Sequence, residues 1–523
     1  MTAQRTASAA VDAAAESERN RLLRRADWRY LLPSAEAGRV LCLGGDELRA
    51  ACAIVGTQVD DAIAPGASYD LVVAENPDPT MLLAMKNALR PDGACYTEWT
   101  RPGWRGAVRV RHTLASAGFH APRTYQPWPS PSRCRAWVPT EGAGARHYWS
   151  SALRSTRVRR ERLRALVGAL RARWSAPARV SAVAVAPSAD ARPELLRLAQ
   201  EADAWVDTSA SRASDASLLL LTHGERSVGK VVALVFDGAT EPSLAIKTAR
   251  TRDSGRGLHR EAEALDAVAA LHPRGLPGAP RVRFRHALHG RPVIGESALV
   301  GTPVAALLTP RDYPRIAARV TDWLCALAQP GLAEPREPAW ETLLSPTLER
   351  FATEFGPVLD ASALARAREM IRGLGALPVV CEQRDCSPWN VFEGPEGIVV
   401  LDWESAEPRG LPGMDLVYFA THAAYYLERA WNTGRFEAAH AAAWSRDTRI
   451  GRTNRACAER YFDRLELDVA LLRPIRLFAW VLHAHSDWVH LRDDAGGPPT
   501  PDRLATSRFL RLYNAELSED SSC

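Results

Sequence analysis

Lysine is almost missing from this chain: of 66 lysine and arginine residues, only Lys86, Lys230 and Lys247 are lysine. Against so deep a bias toward arginine, each surviving lysine is a candidate for a task a planar guanidinium does badly, such as offering a compact, flexible charge to a phosphate. No apolar run reaches the length of a membrane span; the best, such as Val231–Phe236, are strand-sized, so no membrane partner is expected. A basic flank followed by an apolar stretch is also lacking at the N-terminus, which argues against a secretory signal, and residues 1–25 read as a loose Ala/Ser-rich tail. The nine cysteines include no C-x-x-C pair and are odd in number, which favours reduced thiols in a cytoplasm over a disulfide framework. A net charge of +5 is mild for 523 residues, so no nucleic acid is expected as partner.

What is present suggests two or three domains, since a chain this long exceeds one hydrophobic core. From Trp28 to about Pro139, short apolar runs (Val40–Leu43, Tyr69–Ala74, Ala94–Glu98) alternate with helical stretches, and Arg90-Pro91-Asp92-Gly93 reads as a turn. That alternation predicts a Rossmann-like α/β domain with a parallel, doubly wound sheet over residues 26–145. An Arg-rich amphipathic helix, Ser151–Trp174, with Leu163, Leu166, Val167 and Leu170 on its apolar side, opens a connector over 146–215. From Ala216 the pattern becomes a meander of short strands (217–222, 231–236, 243–248), one helix (258–271) and a strand pair (281–288, 292–296). The rest is mostly helical. A small β-rich lobe over 216–300 followed by a helical lobe over 301–523 is the layout of a bilobal α+β kinase.

The strongest chemical signal is Gln383-Arg384-Asp385-Cys386-Ser387-Pro388-Trp389-Asn390, followed by an apolar strand ending in Leu401-Asp402-Trp403-Glu404. Phosphoryl transfer needs positioned charge more than covalent participants. Asp385 suits the carboxylate that takes the proton of an attacking hydroxyl. Asp402 and Asn390 supply the oxygen ligands that hard Mg²⁺ prefers. These residues resemble the loop of the aminoglycoside phosphotransferase/choline kinase family, H-G-D-x-x-x-x-N followed by I-D-W/F-[DE]. Gln383 departs from it by standing where the family has histidine, and Asp415 in Gly413-Met414-Asp415-Leu416 matches a family position expected to be structural.

The resemblance implies ATP (or GTP) and Mg²⁺ as cofactors and transfer of the γ-phosphate to a hydroxyl of a small molecule. Leu244-Ala245-Ile246-Lys247 is close to the kinase V-A-I-K strand, whose lysine pairs the α/β-phosphates. Glu261 in the next helix is the carboxylate expected to orient it, with Glu263 as the alternative. Gly224-x-x-x-x-Gly229-Lys230 looks like a Walker A loop, but Val231 follows the lysine and opens a strand. It reads better as a phosphate-covering turn, with Ser227 and Gly229 near the nucleotide. Glu296 opens the expected hinge that holds the adenine edge.

Cys42-Leu43-Gly44-Gly45-Asp46, then Tyr69–Val73, then Leu89–Gly93, resembles a class I S-adenosylmethionine methyltransferase whose cofactor loop has degenerated. Only Gly44 stays in register with the family's glycines, Asp46 stands near the cofactor path, and Asp60 and Asp61 are weak candidates for the ribose. Two rival functions follow: an active methyltransferase in the first domain, or a kinase fold kept only for binding. On the acceptor side, residues 421–523 hold 14 arginines against 14 acids, which does not favour a polycationic acceptor. His483, His485, Asp487, Trp488 and His490 on one helix are candidates to line the acceptor pocket.

Overall fold

The computed structural model describes residues 18–103, 105–155, 159–173, 179–202, 216–222, 229–333, 336–495 and 497–518. They fall into two compact units, one built from Ala15–His259 with Pro280–Val300, the other from Arg260–Ala279 with Gly301–Cys523.

The first unit carries one sheet of β1 (Ala37–Leu43), β2 (Gly56–Asp60), β3 (Tyr69–Glu75), β4 (Leu89–Thr100), β5 (His120–Trp128), β6 (Ala136–Pro139), β7 (Arg179–Val185), β8 (Ser217–Leu221), β9 (Lys230–Phe236), β10 (Leu244–Ala249), β11 (Val282–Leu288) and β12 (Arg291–Ser297). Their order is β11-β12-β10-β9-β8-β6-β5-β7-β4-β3-β1-β2. Pairing is parallel for β1–β2, β1–β3 and β3–β4, with the helices Asp46–Val55 and Pro79–Ala88 as crossovers. Strands buried on both faces read as near-continuous apolar runs, and β3 does so. Every other pair in the sheet is antiparallel.

This differs from the expected organisation in three ways. The connector contributes β7, which lies between β4 and β5 and pairs antiparallel with both. β6 pairs with β8 (Ala136↔Leu221, Trp137↔Leu220), so the α/β strands and the meander share one sheet rather than forming separate layers. The Arg90–Gly93 turn is absorbed into β4, where an irregularity in the β3 register takes up the extra residues. Side-chain alternation sorts the core: Val40, Cys42, Leu71 and Val73 join one cluster with Leu218, Val231 and Ile246, while Leu41, Val72 and Ala74 pack on the opposite face.

A buried ion pair ties the chain's beginning to this sheet. Arg250, just past β10, reaches Asp27 with Nε at 3.0 Å and Nη2 at 2.9 Å from Oδ2, and both side chains are fully buried. The helix expected over 151–174 is two helices, Gly142–Ser155 and Arg159–Arg173, and Leu163, Leu166, Val167 and Leu170 are exposed.

The second unit is helical, with short two- and three-stranded pieces. Helix Met414–Leu427 is buried on all sides from Met414 through Tyr425, as an almost uncharged sequence allows. Glu516 in the last helix, Arg508–Ser518, is fully buried and is met by Arg476 Nε at 2.9 Å and His440 Nε2 at 2.9 Å. Burial works to raise its carboxyl, but the Arg476 charge and the His440 bond outweigh it and bring it to about 2. Among the described residues no helix is long and apolar enough to cross a membrane.

Candidate active site

A hairpin builds the centre of the second unit. Val391–Glu393 pairs antiparallel with Ile398–Val400, in the register Val391↔Val400 and Phe392↔Val399. That register sets the residue before the first strand beside the residues after the second: Leu401 N donates to Asn390 O at 3.0 Å. Gly278 fastens the hairpin from its other edge. Its carbonyl accepts from Val400 N at 2.9 Å, it sits at φ +80°, and a Cβ there would meet Ile398 O at 1.8 Å, so no larger side chain fits.

Asn390 then reaches back to Asp385. Its Nδ2 donates to Asp385 Oδ2 at 2.7 Å and to Asp385 O at 3.1 Å, which leaves its amide oxygen for another partner. Burial first, and the Asp402 charge second, push the Asp385 carboxyl up to about 7, against the lowering effect of bonds from Asn390 and the Tyr418 hydroxyl. Asp385, Asn390 and Asp402 are thus one group.

Gln383 links the two aspartates through their backbones. Its Nε2 donates to Asp402 O at 2.6 Å and Leu401 O at 3.2 Å, while its Oε1 accepts from Asp385 N at 2.9 Å. One amide serves as donor and acceptor at once, with no charge to change with pH. Asp415 pins the same loop from the buried helix, accepting from Gln383 N at 2.7 Å and Arg384 N at 2.8 Å. These bonds hold Arg384 at φ +64° and Asp402 at +65°, a region costly for residues with a Cβ and found where the surroundings over-determine the backbone.

Glu261 is buried, and its Oε1 accepts from Trp403 N at 3.1 Å, beside Asp402; Glu263 is exposed. Lys247 belongs to the first unit, where its Nζ lies 2.8 Å from Glu296 Oε2 with both side chains buried. Residues 247 and 294 are register partners, so 296 is the diagonal neighbour on the same face. Gly229 sits at the start of β9, and its carbonyl accepts from Arg250 N at 3.0 Å and Ser254 Oγ at 2.9 Å. Ser227 and most of its turn lie outside the described residues.

Of the proposed acceptor-side residues, only His483 joins the Asp385 neighbourhood, its ring 4.3 Å from that of Tyr418. His485 Nδ1 is 2.7 Å from Glu354, Trp488 takes the Arg492 guanidinium, and His490 is exposed. Asp487 caps the last helix, accepting from Ser507 Oγ at 2.8 Å and Arg508 N at 3.0 Å. Sequence reasoning missed Tyr418, although its spacing of three from Asp415 puts both on one helix face toward one loop. The Lys247–Glu296 pair had no signal of that kind, because cross-strand register is not written in local sequence.

The donor set suits a hard cation. Two carboxylates and a spare amide oxygen converge, and one carboxylate is raised by the other's charge, which a divalent ion relieves. No group of three or more His, Cys, Asp or Glu residues able to hold a metal occurs among the described residues. Mg²⁺ typically takes only one or two protein carboxylates and completes its shell with waters and substrate phosphates.

In the first unit, the Gly44-Gly45 loop is closed by the protein itself. Gly45 N donates to Glu75 Oε2 at 3.2 Å, and a Cβ on Gly44 would lie 2.8 Å from Leu48 Cδ2. Asp60 accepts from Arg39 Nε at 2.8 Å and from the Tyr69 hydroxyl at 3.0 Å.

No protein-family model matches the chain, and neither does any curated protein sequence. Similar solved structures include a thermostable mutant of an aminoglycoside phosphotransferase in ternary complex with ADP and hygromycin B, at 13% identity and TM-score 0.37 over 57% of this chain and 94% of that one. Choline kinase from Cryptosporidium parvum matches at 11% and 0.38, over 62% of this chain and 96% of its own. A glucosamine kinase in complex with glucosamine, ADP and inorganic phosphate matches at 15% and 0.35, over 56% and 77%. At such identities and scores the functional reading rests on the site's own geometry.

Proposed function

We propose that the second unit transfers the γ-phosphoryl group of a nucleoside triphosphate, ATP in the first instance, to a hydroxyl of a small molecule. The observation that carries this reading is the convergence of Asp385, Asn390 and Asp402 through the hairpin register and the Asn390–Asp385 bond.

Asp385 is the general base. The Asn390 and Tyr418 bonds hold its carboxylate in place to take the hydroxyl proton. Asp402 and the free oxygen of Asn390 are the ligands for Mg²⁺, which supplies positive charge for the phosphate oxygens during transfer. Gln383 and Asp415 are positioning residues: they hold the backbone around the two aspartates and touch no substrate. The first unit is proposed to bind no S-adenosylmethionine, since Glu75 already answers the Gly45 amide.

A mass-spectrometric screen of hydroxylated metabolites with ATP and Mg²⁺ tests the reading. At least one acceptor should gain a phosphoryl group with the wild type and none with Asp385→Asn. Equal background in both proteins across the screen defeats it.

A further inference from the structure

Arg508 occupies an unusual seat beside this site. Its guanidinium lies over the rings of Phe509, Trp431, Phe436 and Tyr425, at 5.0, 5.2, 5.5 and 5.7 Å from their centroids. Among the described residues it forms no ion pair with a carboxylate, and its Nε is buried without a hydrogen-bond partner. Asp487, which caps the same helix, is spent on Ser507 and on the Arg508 backbone amide. Arg508 is half-buried, and the aromatic faces around it stand in only in part for an anion.

Ring contacts connect this seat to the base. Trp389, four residues after Asp385, lies 6.0 Å from Trp431 and 5.5 Å from His422. Tyr418, which bonds Asp385, lies 4.0 Å from His422 and 4.3 Å from His483, and His483 is 5.5 Å from Phe509. Burial, reinforced by Arg508, pushes both imidazoles down, His483 to about 3, so neither contributes positive charge near neutral pH. The aromatic faces that could hold an ammonium therefore already hold the protein's own cation.

We propose that Arg508 reads an anionic oxygen group, a carboxylate or a phosphate, on the hydroxyl-bearing acceptor. This rests on the phosphotransferase reading and narrows it: the acceptor is an acidic hydroxylated metabolite rather than an amine. A planar fork of N–H donors matches the paired oxygens of a carboxylate or phosphate better than a neutral or cationic group.

The test uses the full chain with ATP, Mg²⁺ and matched probes. Each set shares a hydroxylated carbon skeleton and differs only at one carbon, as glucuronate, glucose 6-phosphate, glucose and 6-amino-6-deoxyglucose do at C6. The acidic members should exceed the neutral and amine members by about 10- to 100-fold in kcat/KM, the range a charged hydrogen bond supports. The carboxylate and phosphate arms show which anion is preferred. Arg508→Met keeps the aliphatic bulk under the rings and should abolish that preference through acceptor KM, leaving KM for ATP unchanged; Arg508→Lys should restore part of it. A merely structural Arg508 would instead lower thermal stability and all substrates' rates together. Transfer with no preference for acids, or a preference that survives Arg508→Met, overturns the inference and leaves the phosphotransferase reading standing. No transfer to any probe or screened acceptor, with wild type and Asp385→Asn alike at background, overturns both.

Discussion

Two turns in this protein place carboxylates next to loop backbone, and they differ in what they leave unmet. Past the end of β1, Glu75 from the neighbouring β3 meets the Gly45 amide, so the protein supplies that loop's anion. In the second unit, burial first and then the Asp402 charge raise the Asp385 carboxyl. A turn that satisfies itself has no electrostatic need of a ligand, whereas a half-buried pair of neighbouring carboxylates is stabilised by a cation arriving with its phosphates. Similar residue types thus support opposite readings, and the contacts decide between them.

The sharpest break in that comparison is chemical. Asp385→Asn should lower phosphoryl transfer by about 10²- to 10⁴-fold, the usual contribution of a positioned base, with the thermal midpoint held. Full activity in that variant removes the contrast. Next in size is the buried pair of the first unit: Asp27→Ala leaves Arg250 charged and buried, and urea unfolding should show a loss of about 3–5 kcal/mol. A loss below about 1 kcal/mol means that water reaches the pair.

The pH dependence of stability comes third. Asp385 and Asp415 have folded-state carboxyls raised from 3.8 to about 7, by burial first and then by Asp402 and Glu382 respectively. Their contributions are full below pH 3.8 and are lost as pH rises toward 7, so the ligand-free protein should weaken across that window. Glu516, lowered from 4.5 to about 2, acts in reverse, its contribution lost as pH falls through that range. Denaturant titrations from pH 4 to 7 should show a shallower decline in Asp415→Asn than in the wild type; parallel curves contradict the shift. Smallest is Glu75→Ala, which exposes one amide at the surface. It should cost about 1 kcal/mol or less and create no S-adenosylmethionine binding in calorimetry. Micromolar binding by the wild type erases the difference between the two turns.

Much of the second unit's centre was legible because its signals are local. Asp385, Asn390 and Asp402 fall within one loop and one hairpin, where spacing alone constrains geometry. The meander and its helix were legible for the same reason, since each strand is bounded by turn residues. The sheet's continuity was not, because β6–β8 pairing and the insertion of β7 between β4 and β5 join residues far apart in sequence. The apolar stripe Leu163–Leu170 misled for a physical reason: helical periodicity marks a face, and burial depends on having something to cover it. Gln383 was read as a departure from a histidine pattern, and only its three bonds show how an amide bridges Asp385 and Asp402. Arg508 carries no local signal among so many arginines; its ring of aromatics comes from four separate helices.

The most direct measurement is Mg²⁺-dependent protection by nucleotide. Thermal unfolding of the wild type with ATP and Mg²⁺ should rise by several degrees over either alone, and Asp402→Ala should lose the joint effect while retaining its own fold. An identical rise in Asp402→Ala, or one that ignores Mg²⁺, would contradict a metal-bound triphosphate at Asp385, Asn390 and Asp402.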